Sequence, residues 1–266
     1  MKQKNIFISN SNMQVFLNCR KKYRYKYIEK KKTEGSGSNK FLSFGTSIHT
    51  TLAQFNKITS DEYRSEANLH KLLRKNWIRD GFESIEEERE YGLRALDMLS
   101  QYFNDPKDQG KQNLIIEEMI KKDMGGGVVL TGKLDKVYLR NDNLIETIDY
   151  KTGAKVEAVS LVQLPIYILL TQEKLGCYPD IISYYYLSNN YKMEVKVTDD
   201  LIYEVKSFIE DISSQISDEK EFHCRPTEYC SVNCEYFEKC DAAKDSNSII
   251  INMINSINGK VNNMVF

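Results

Sequence analysis

The chain has 266 residues, 41% of them hydrophobic and 28% charged, and a net charge of −1. These values suit a soluble protein with one substantial core and exclude a globally basic one. No apolar run reaches transmembrane length and the polar start MKQKN has no signal-peptide core, so a cytoplasmic protein without membrane association is expected.

In chain order, residues 6–10 lead into a helix capped by Ser9 or Ser11, with Met13, Phe16, Leu17, Tyr23 and Tyr27 on its apolar face and Cys19 inside it. Residues 20–32 hold eight basic side chains against one acid, Glu29, a charge of +7 that leaves −8 for the remainder. Tyr23, Tyr25 and Tyr27 interleave with these cations. The pattern suits either a surface that holds phosphates and stacks bases, or a solvated face with the tyrosines turned inward. A loop over 33–40 precedes a helix over 41–55, whose Phe44, Ile48, Leu52 and Phe55 share one side. On that helix His49 has Gly45 and Ala53 one turn before and after it, small neighbours that leave room for a ligand or another backbone. Two more helices are expected over 61–77 and 84–103, the acidic run 86–90 forming a solvated face. Residues 113–121 read as a strand carrying Glu117 and Glu118. Gly125, Gly126 and Gly127 then make a turn without the lysine-bearing helix of a phosphate loop.

The stretch GKLDKVYLRNDNLIETIDYK, residues 132–151, reads as a hairpin whose turn is Asn141-Asp142-Asn143. The alternation of its first strand slips by one residue after Leu134. A period of two puts Asp149 and Lys151 on one face of the second strand and Tyr150 on the other, and brings Asp135 of the paired strand near Asp149. Two close carboxylates repel unless a divalent cation lies between them, and hard oxygen ligands suit Mg²⁺ or Mn²⁺. Such an ion neutralises charge on a phosphodiester, and Lys151 is placed to orient water or stabilise the developing charge.

A helix over about 158–175 follows, with Leu161, Leu164 and Ile168 on its buried stripe and Gln163 and Tyr167 four apart on one face. Strands over 180–187 and 191–197 and an amphipathic helix over 199–215 complete the core. Four of the six cysteines fall in FHCRPTEYCSVNCEYFEKC, residues 222–240, a spacing that in a reducing compartment reads as thiolate ligation. Three late cysteines with one distant early one, Cys19, suit an iron–sulfur cluster better than zinc.

The ordered motifs SNSNMQVFLNC, FGTSIH, GKLD, IDYKTG and QLPIY, followed by the cysteine cluster, together resemble the RecB-like branch of the PD-(D/E)XK nuclease superfamily. The likeness is greatest to its iron–sulfur members, such as the AddB C-terminal nuclease domain and the CRISPR adaptation nucleases. It spans Ser9 to Cys240. The resemblance implies an α/β restriction-endonuclease-like core, a central mixed sheet flanked by helices, with an iron–sulfur cluster stapling the N-terminal helix to the C-terminal segment. It implies His49, Asp135, Asp149 and the Tyr150 carbonyl as ligands of Mg²⁺ or Mn²⁺ and Lys151 as the catalytic lysine. Gln163 and Tyr167 become the Q-x-x-x-Y motif beside DNA, and Cys19, Cys230, Cys234 and Cys240 the ligands of a 4Fe–4S cluster. The last three cysteines run C-x3-C-x5-C where the family commonly has C-x2-C-x5-C, so Cys224 is a candidate substitute. Residues 56–112 match no motif and no helicase motif is present.

The expectation is one nuclease domain over 1–240, with a helical insertion over 41–112 and a tail over 241–266. Its function would be a metal-dependent deoxyribonuclease, an exonuclease on single strands or ends, in recombination, repair or CRISPR adaptation. The alternatives are a subunit active only with CRISPR adaptation or helicase partners, and a DNA-binding module that does not cut.

Overall fold

The computed structural model describes residues 5–33, 39–153, 163–242 and 244. The chain forms two compact units, one of residues 1–10 and 37–213, the other of residues 11–36 and 214–266.

The first unit is built on a six-stranded mixed sheet. Its strands are β1 (Ile6–Ile8), β2 (Gln112–Gly125), β3 (Val128–Leu139), β4 (Ile145–Lys151), β5 (Ile181–Tyr186) and β6 (Tyr191–Lys196). β2 lies antiparallel along nearly the whole of β3. The other edge of β3 is shared: β1 pairs in parallel with Val128–Leu130, and β4 pairs antiparallel with Lys136–Leu139. Residues 131–135 face the gap between them, so the sheet forks beside Asp135. β5 then adds parallel to β4, and β6 antiparallel to β5. The short β1 differs from expectation, since residues 6–10 carry no strand-length alternation. Its edge position on β3 supplies the pairing that its sequence does not announce.

Three helices cover one face: α3 (Lys40–Asn56), α4 (Glu66–Asn76) and α5 (Ile85–Asn104). Their start signals are local. The side chains of Asn39, Ser65 and Ser84 accept from the backbone N–H three residues on, satisfying orphan donors of the first turn. Phe44, Ile48, Leu52 and Phe55 of α3 and Met98, Leu99 and Tyr102 of α5 pack with Tyr138, Ile148, Tyr150 and Tyr185 of the sheet. Each such burial contributes roughly 1.5–3 kcal/mol before entropy is counted. The acidic run 86–90 is more than a solvated face. Glu86, Glu87 and Glu88 sit in the first turn of α5, where the helix dipole favours them; Glu87 pairs with Lys40, and Glu88 accepts from the Trp77 indole.

The opposite face carries α6 (Gln163–Leu175). Thr171 of α6 hydrogen-bonds Thr147 of β4 at 2.9 Å. A Cβ at Gly132 would come within 2.6 Å of the Leu170 side chain, so glycine lets β3 and α6 approach closely. Gly132 faces α6, whereas Lys136 and Tyr138 lie on the α3/α5 side; the expected slip in alternation therefore falls at the fork. Residues 158–162 of the expected helix over 158–175 lie outside the described residues, as do the side chains of Gln163 and Leu164 and nearly all of the tail over 241–266.

In the second unit the first helix is not continuous. Cys19 is extended (φ −159°, ψ 109°) and separates α1 (Asn10–Asn18) from α2 (Arg20–Tyr23), which runs on as a π-helical turn over Arg24–Ile28. The Tyr23 ring stacks on Phe222 with centroids 6.5 Å apart, and the Tyr25 ring meets Tyr236 at 5.5 Å. Arg20 pairs with Glu219, Lys26 with Glu235, and Arg24 and Lys31 with Glu29. Tyr23 and Tyr25 are buried, so they brace this unit and are not presented for base stacking. Of the remaining α-helices, α7 (Asp199–Asp218) belongs to the first unit up to Ser213, and α8 (Cys230–Asn233) belongs to the second. Among the described residues no helix is long and apolar enough to cross a membrane.

Candidate active site

Four elements of the first unit, β3, β4, α3 and α6, meet at the fork of the sheet. The β3–β4 ladder stops at the pair Lys136–Ile148. Asp135 and Asp149 are the next residues outward on the two diverging strands, and the fork replaces backbone pairing with side-chain bonds. The Tyr150 amide donates to Asp135 Oδ2 at 2.9 Å. His49, from α3, places Nδ1 3.1 Å from Asp135 Oδ1. Lys151 Nζ lies 2.7 Å from Asp149 Oδ2, as period-two geometry requires of residues i and i+2. From α6, the Tyr167 hydroxyl donates to Asp149 Oδ1 at 2.8 Å. Tyr167 is itself buried, and through this bond it steadies a carboxylate at the site.

Burial pushes the Asp149 carboxyl above the usual carboxylate range, and the charge of Asp135 adds to the push; Lys151 and His49 oppose it. For His49, burial acts to lower the pKa, but Asp135, joined by Asp149 and Glu117, outweighs it and the imidazole is raised above 6.5. Both raised values bind protons more tightly in the folded state. The stability from protonated His49 is complete below pH 6.5 and is lost as pH rises through its higher folded value, and that from protonated Asp149 is complete below 3.8 and lost through its own. In EDTA the melting temperature is therefore expected to fall as pH rises from 6 to 8, and His49→Gln to flatten that slope. An equal slope in the variant would show that His49 is not the titrating group.

Glu117 was visible in the sequence only as a strand residue. It lies opposite Asp135, between the pairs Ile116–Lys136 and Glu118–Leu134. Its φ of +48° is in the left-handed region, unusual for a non-glycine residue in a strand and costing of order 1–3 kcal/mol. Its carboxylate pairs with Lys133. The strain puts a third acid within electrostatic reach of His49.

The cysteine assignment is corrected. Cys19, Cys230, Cys234 and Cys240, with Cys224, line one cavity of about 460 Å³. Yet among the described residues no group of three or more His, Cys, Asp or Glu is arranged to hold a metal ion, which overturns the 4Fe–4S cluster and the iron–sulfur staple. The thiols are engaged otherwise. Cys230 Sγ accepts from the Thr227 amide at 3.2 Å, and Cys240 donates to Cys224 at 3.4 Å. The bracing between residues 11–36 and 214–242 comes from the aromatic contacts and ion pairs described above. Close cysteine spacing does not set thiol direction, and here the directions serve local hydrogen bonds.

A profile of the PD-(D/E)XK nuclease superfamily matches residues 8–241. The chain belongs to this superfamily. Among solved structures, a proposed exonuclease from Eubacterium rectale is similar with a TM-score of 0.50 and 14% identity, over 90% of this chain and 87% of that one. The protein SSO0001 aligns with a TM-score of 0.40 and 14% identity, over 91% and 89% of the two chains. No curated protein matches. The PD-(D/E)XK superfamily is thereby established, and its RecB-like branch is not.

Proposed function

We propose that this PD-(D/E)XK protein is a metal-dependent deoxyribonuclease that hydrolyses phosphodiester bonds, acting as an exonuclease on single strands or ends. The observation that carries the reading is the gathering of His49, Asp135, Asp149 and Lys151 at one fork of the sheet. Two carboxylates and an imidazole are the donor chemistry that Mg²⁺ or Mn²⁺ accepts, and Asp149, whose carboxyl is raised first by burial and then by the charge of Asp135, is a group whose ionised form a cation would favour. Among the described residues these side chains pair with one another and are not arranged around an ion; His49, Asp135, Asp149 and the Tyr150 carbonyl are the groups that would hold it once those pairs open. When bound, the ion supplies charge neutralisation at the phosphate and a more acidic water.

The chain's own residues do the rest. Tyr167 fixes the orientation of Asp149, and the Tyr150 amide fixes that of Asp135. Lys151 holds an ammonium beside Asp149, where it orients the attacking water and stabilises charge on the phosphoryl oxygens. The exonuclease mode is in line with the similarly folded E. rectale protein. Recombination, repair and CRISPR adaptation are the pathways this reading opens, with DNA as substrate and CRISPR adaptation or helicase proteins as partners.

The test is cleavage of linear DNA, single- and double-stranded and labelled at either end, in Mn²⁺, Mg²⁺ or EDTA. Cleavage in the metals and none in EDTA is expected. Lys151→Ala should cut about 100-fold more slowly or worse while still binding Mn²⁺. A parent protein that cuts no DNA in either metal would sink the reading; normal cutting by Lys151→Ala would remove only the lysine's role.

A further inference from the structure

On the face of the sheet away from Asp149 lies a buried polar network that the proposed chemistry does not use. Its hub is Asp108, 1% exposed, on the loop between α5 and β2. Asp108 Oδ2 accepts from Lys136 Nζ at 2.8 Å, from the Tyr102 hydroxyl at 3.1 Å and from the Tyr150 hydroxyl. Lys136 Nζ also donates to the Asp108 carbonyl at 2.8 Å and to Asn56 Oδ1 at 3.1 Å. Lys136 is 3% exposed.

The origin of these partners is the informative point. Lys136 follows Asp135 on β3. Tyr150 lies between Asp149 and Lys151 on β4. Asn56 lies seven residues, about two turns, beyond His49 on α3. The three elements that carry His49, Asp135, Asp149 and Lys151 thus each send a second residue, from the other face or the next turns, into the network around one carboxylate. We propose that Asp108 is a positioning residue for the nuclease site, locking α3, β3 and β4 in register beneath His49, Asp135, Asp149 and Lys151. The proposal rests on the nuclease reading above.

Three observations carry it. First, Tyr150 is held at both ends: its hydroxyl by Asp108 and its amide by Asp135, with its ring edge-on to His49 at 6.2 Å between centroids. Losing the hydroxyl bond releases the outer end of the residue that separates Asp149 from Lys151, while its backbone stays on the β5 ladder. Secondly, the Asp108 loop is itself fixed. The Lys111 amide donates to the Leu139 carbonyl at 2.8 Å, and a Cβ at Gly110 would lie 2.3 Å from that same oxygen, so only glycine permits the approach. Thirdly, a buried ion pair is a poor source of net stability, because desolvation offsets most of the attraction. What it provides over apolar packing is direction. The β3–β4 ladder ends at Lys136–Ile148, so backbone pairing does not hold Asp135 and Asp149 together. A misplacement of about 1 Å at a reacting centre lowers rates about a hundredfold.

The experiment compares the full chain with Tyr150→Phe, Asp108→Asn and a control, Leu73→Ala, in the apolar packing of α4. Tyr150→Phe removes one hydroxyl and keeps the ring; it carries the test if Asp108→Asn does not fold. Mn²⁺ affinity is measured by calorimetry without DNA, kcat and KM on single-stranded DNA, and Tm by calorimetry. Both network variants should weaken Mn²⁺ binding about tenfold and lower kcat about 10- to 100-fold, with KM changed less than about threefold. The control should lose Tm while keeping Mn²⁺ affinity and kcat within about twofold. Parental Mn²⁺ affinity and kcat in Tyr150→Phe, or equal losses in the control, would overturn the positioning role and leave the nuclease reading intact. A parent that neither binds Mn²⁺ nor cuts DNA would overturn the reading itself.

Discussion

Asp149→Asn is expected to reduce cleavage by about a thousandfold or more, a loss of ~4 kcal/mol of transition-state stabilisation, with little change in Tm. The amide keeps the volume of the carboxyl and still accepts from the Tyr167 hydroxyl. It removes a charge that burial and Asp135 already oppose, so the folded state gains what the site loses. Lys151 gives up its ion pair, but its side chain is 28% exposed and water replaces the partner at small cost. The measurement is single-turnover cleavage in Mn²⁺ alongside calorimetry. Activity within tenfold of the parent would show that Asp149 is an ordinary buried acid.

Lys136→Met should produce the largest loss of stability. It leaves Asp108 buried without its cation, a situation that costs about 3–5 kcal/mol. At roughly 2–4 °C per kcal/mol for a domain of this size, Tm should fall by about 6–20 °C. Adding Asp108→Asn in the same chain should recover most of the loss, since the amide oxygen still accepts from Tyr102 and Tyr150 and no net charge is left unpaired. Additive losses in the double variant would show that the two charges are not coupled. Asp108→Asn alone should be milder than Lys136→Met. Burial already lowers the Lys136 pKa, so the amine can shed its proton when its partner is neutral.

The candidate site was largely legible because it is built from short-range regularities. Alternation alone placed Asp149 and Lys151 together and Tyr150 apart, and the structure gives the 2.7 Å ion pair on one face and the Asp108 bond on the other. The spacing of Gly45, His49 and Ala53 left room on one helix face, which the edge-on contact with Tyr150 and the Asp135 carboxylate occupy. Asp108, Lys136 and Asn56 gave no such signal. They are single polar residues on a loop, a strand and a helix end, and only the folded chain brings them to one point.

The cysteines show the opposite failure. Their spacing suggested a ligand set, but spacing carries no information on where each thiol points; Cys230 turns to the Thr227 amide and Cys240 to Cys224. The basic and tyrosine-rich stretch left two readings open for the same reason. Charge pattern shows that Arg20, Arg24, Lys26 and Lys31 need counter-ions, and the fold supplies them from Glu219, Glu29 and Glu235.

Sequence by itself determined the helices α3 and α5, the central hairpin and the D-x-K face, because apolar spacing along a helix, turn chemistry and the period of a strand act over a few residues. Tertiary structure alone decided the sharing of one β3 edge by β1 and β4, the strained Glu117 opposite Asp135 and the convergence on Asp108. Each joins residues far apart in the chain, where strand order and burial, and not local preference, set which groups meet.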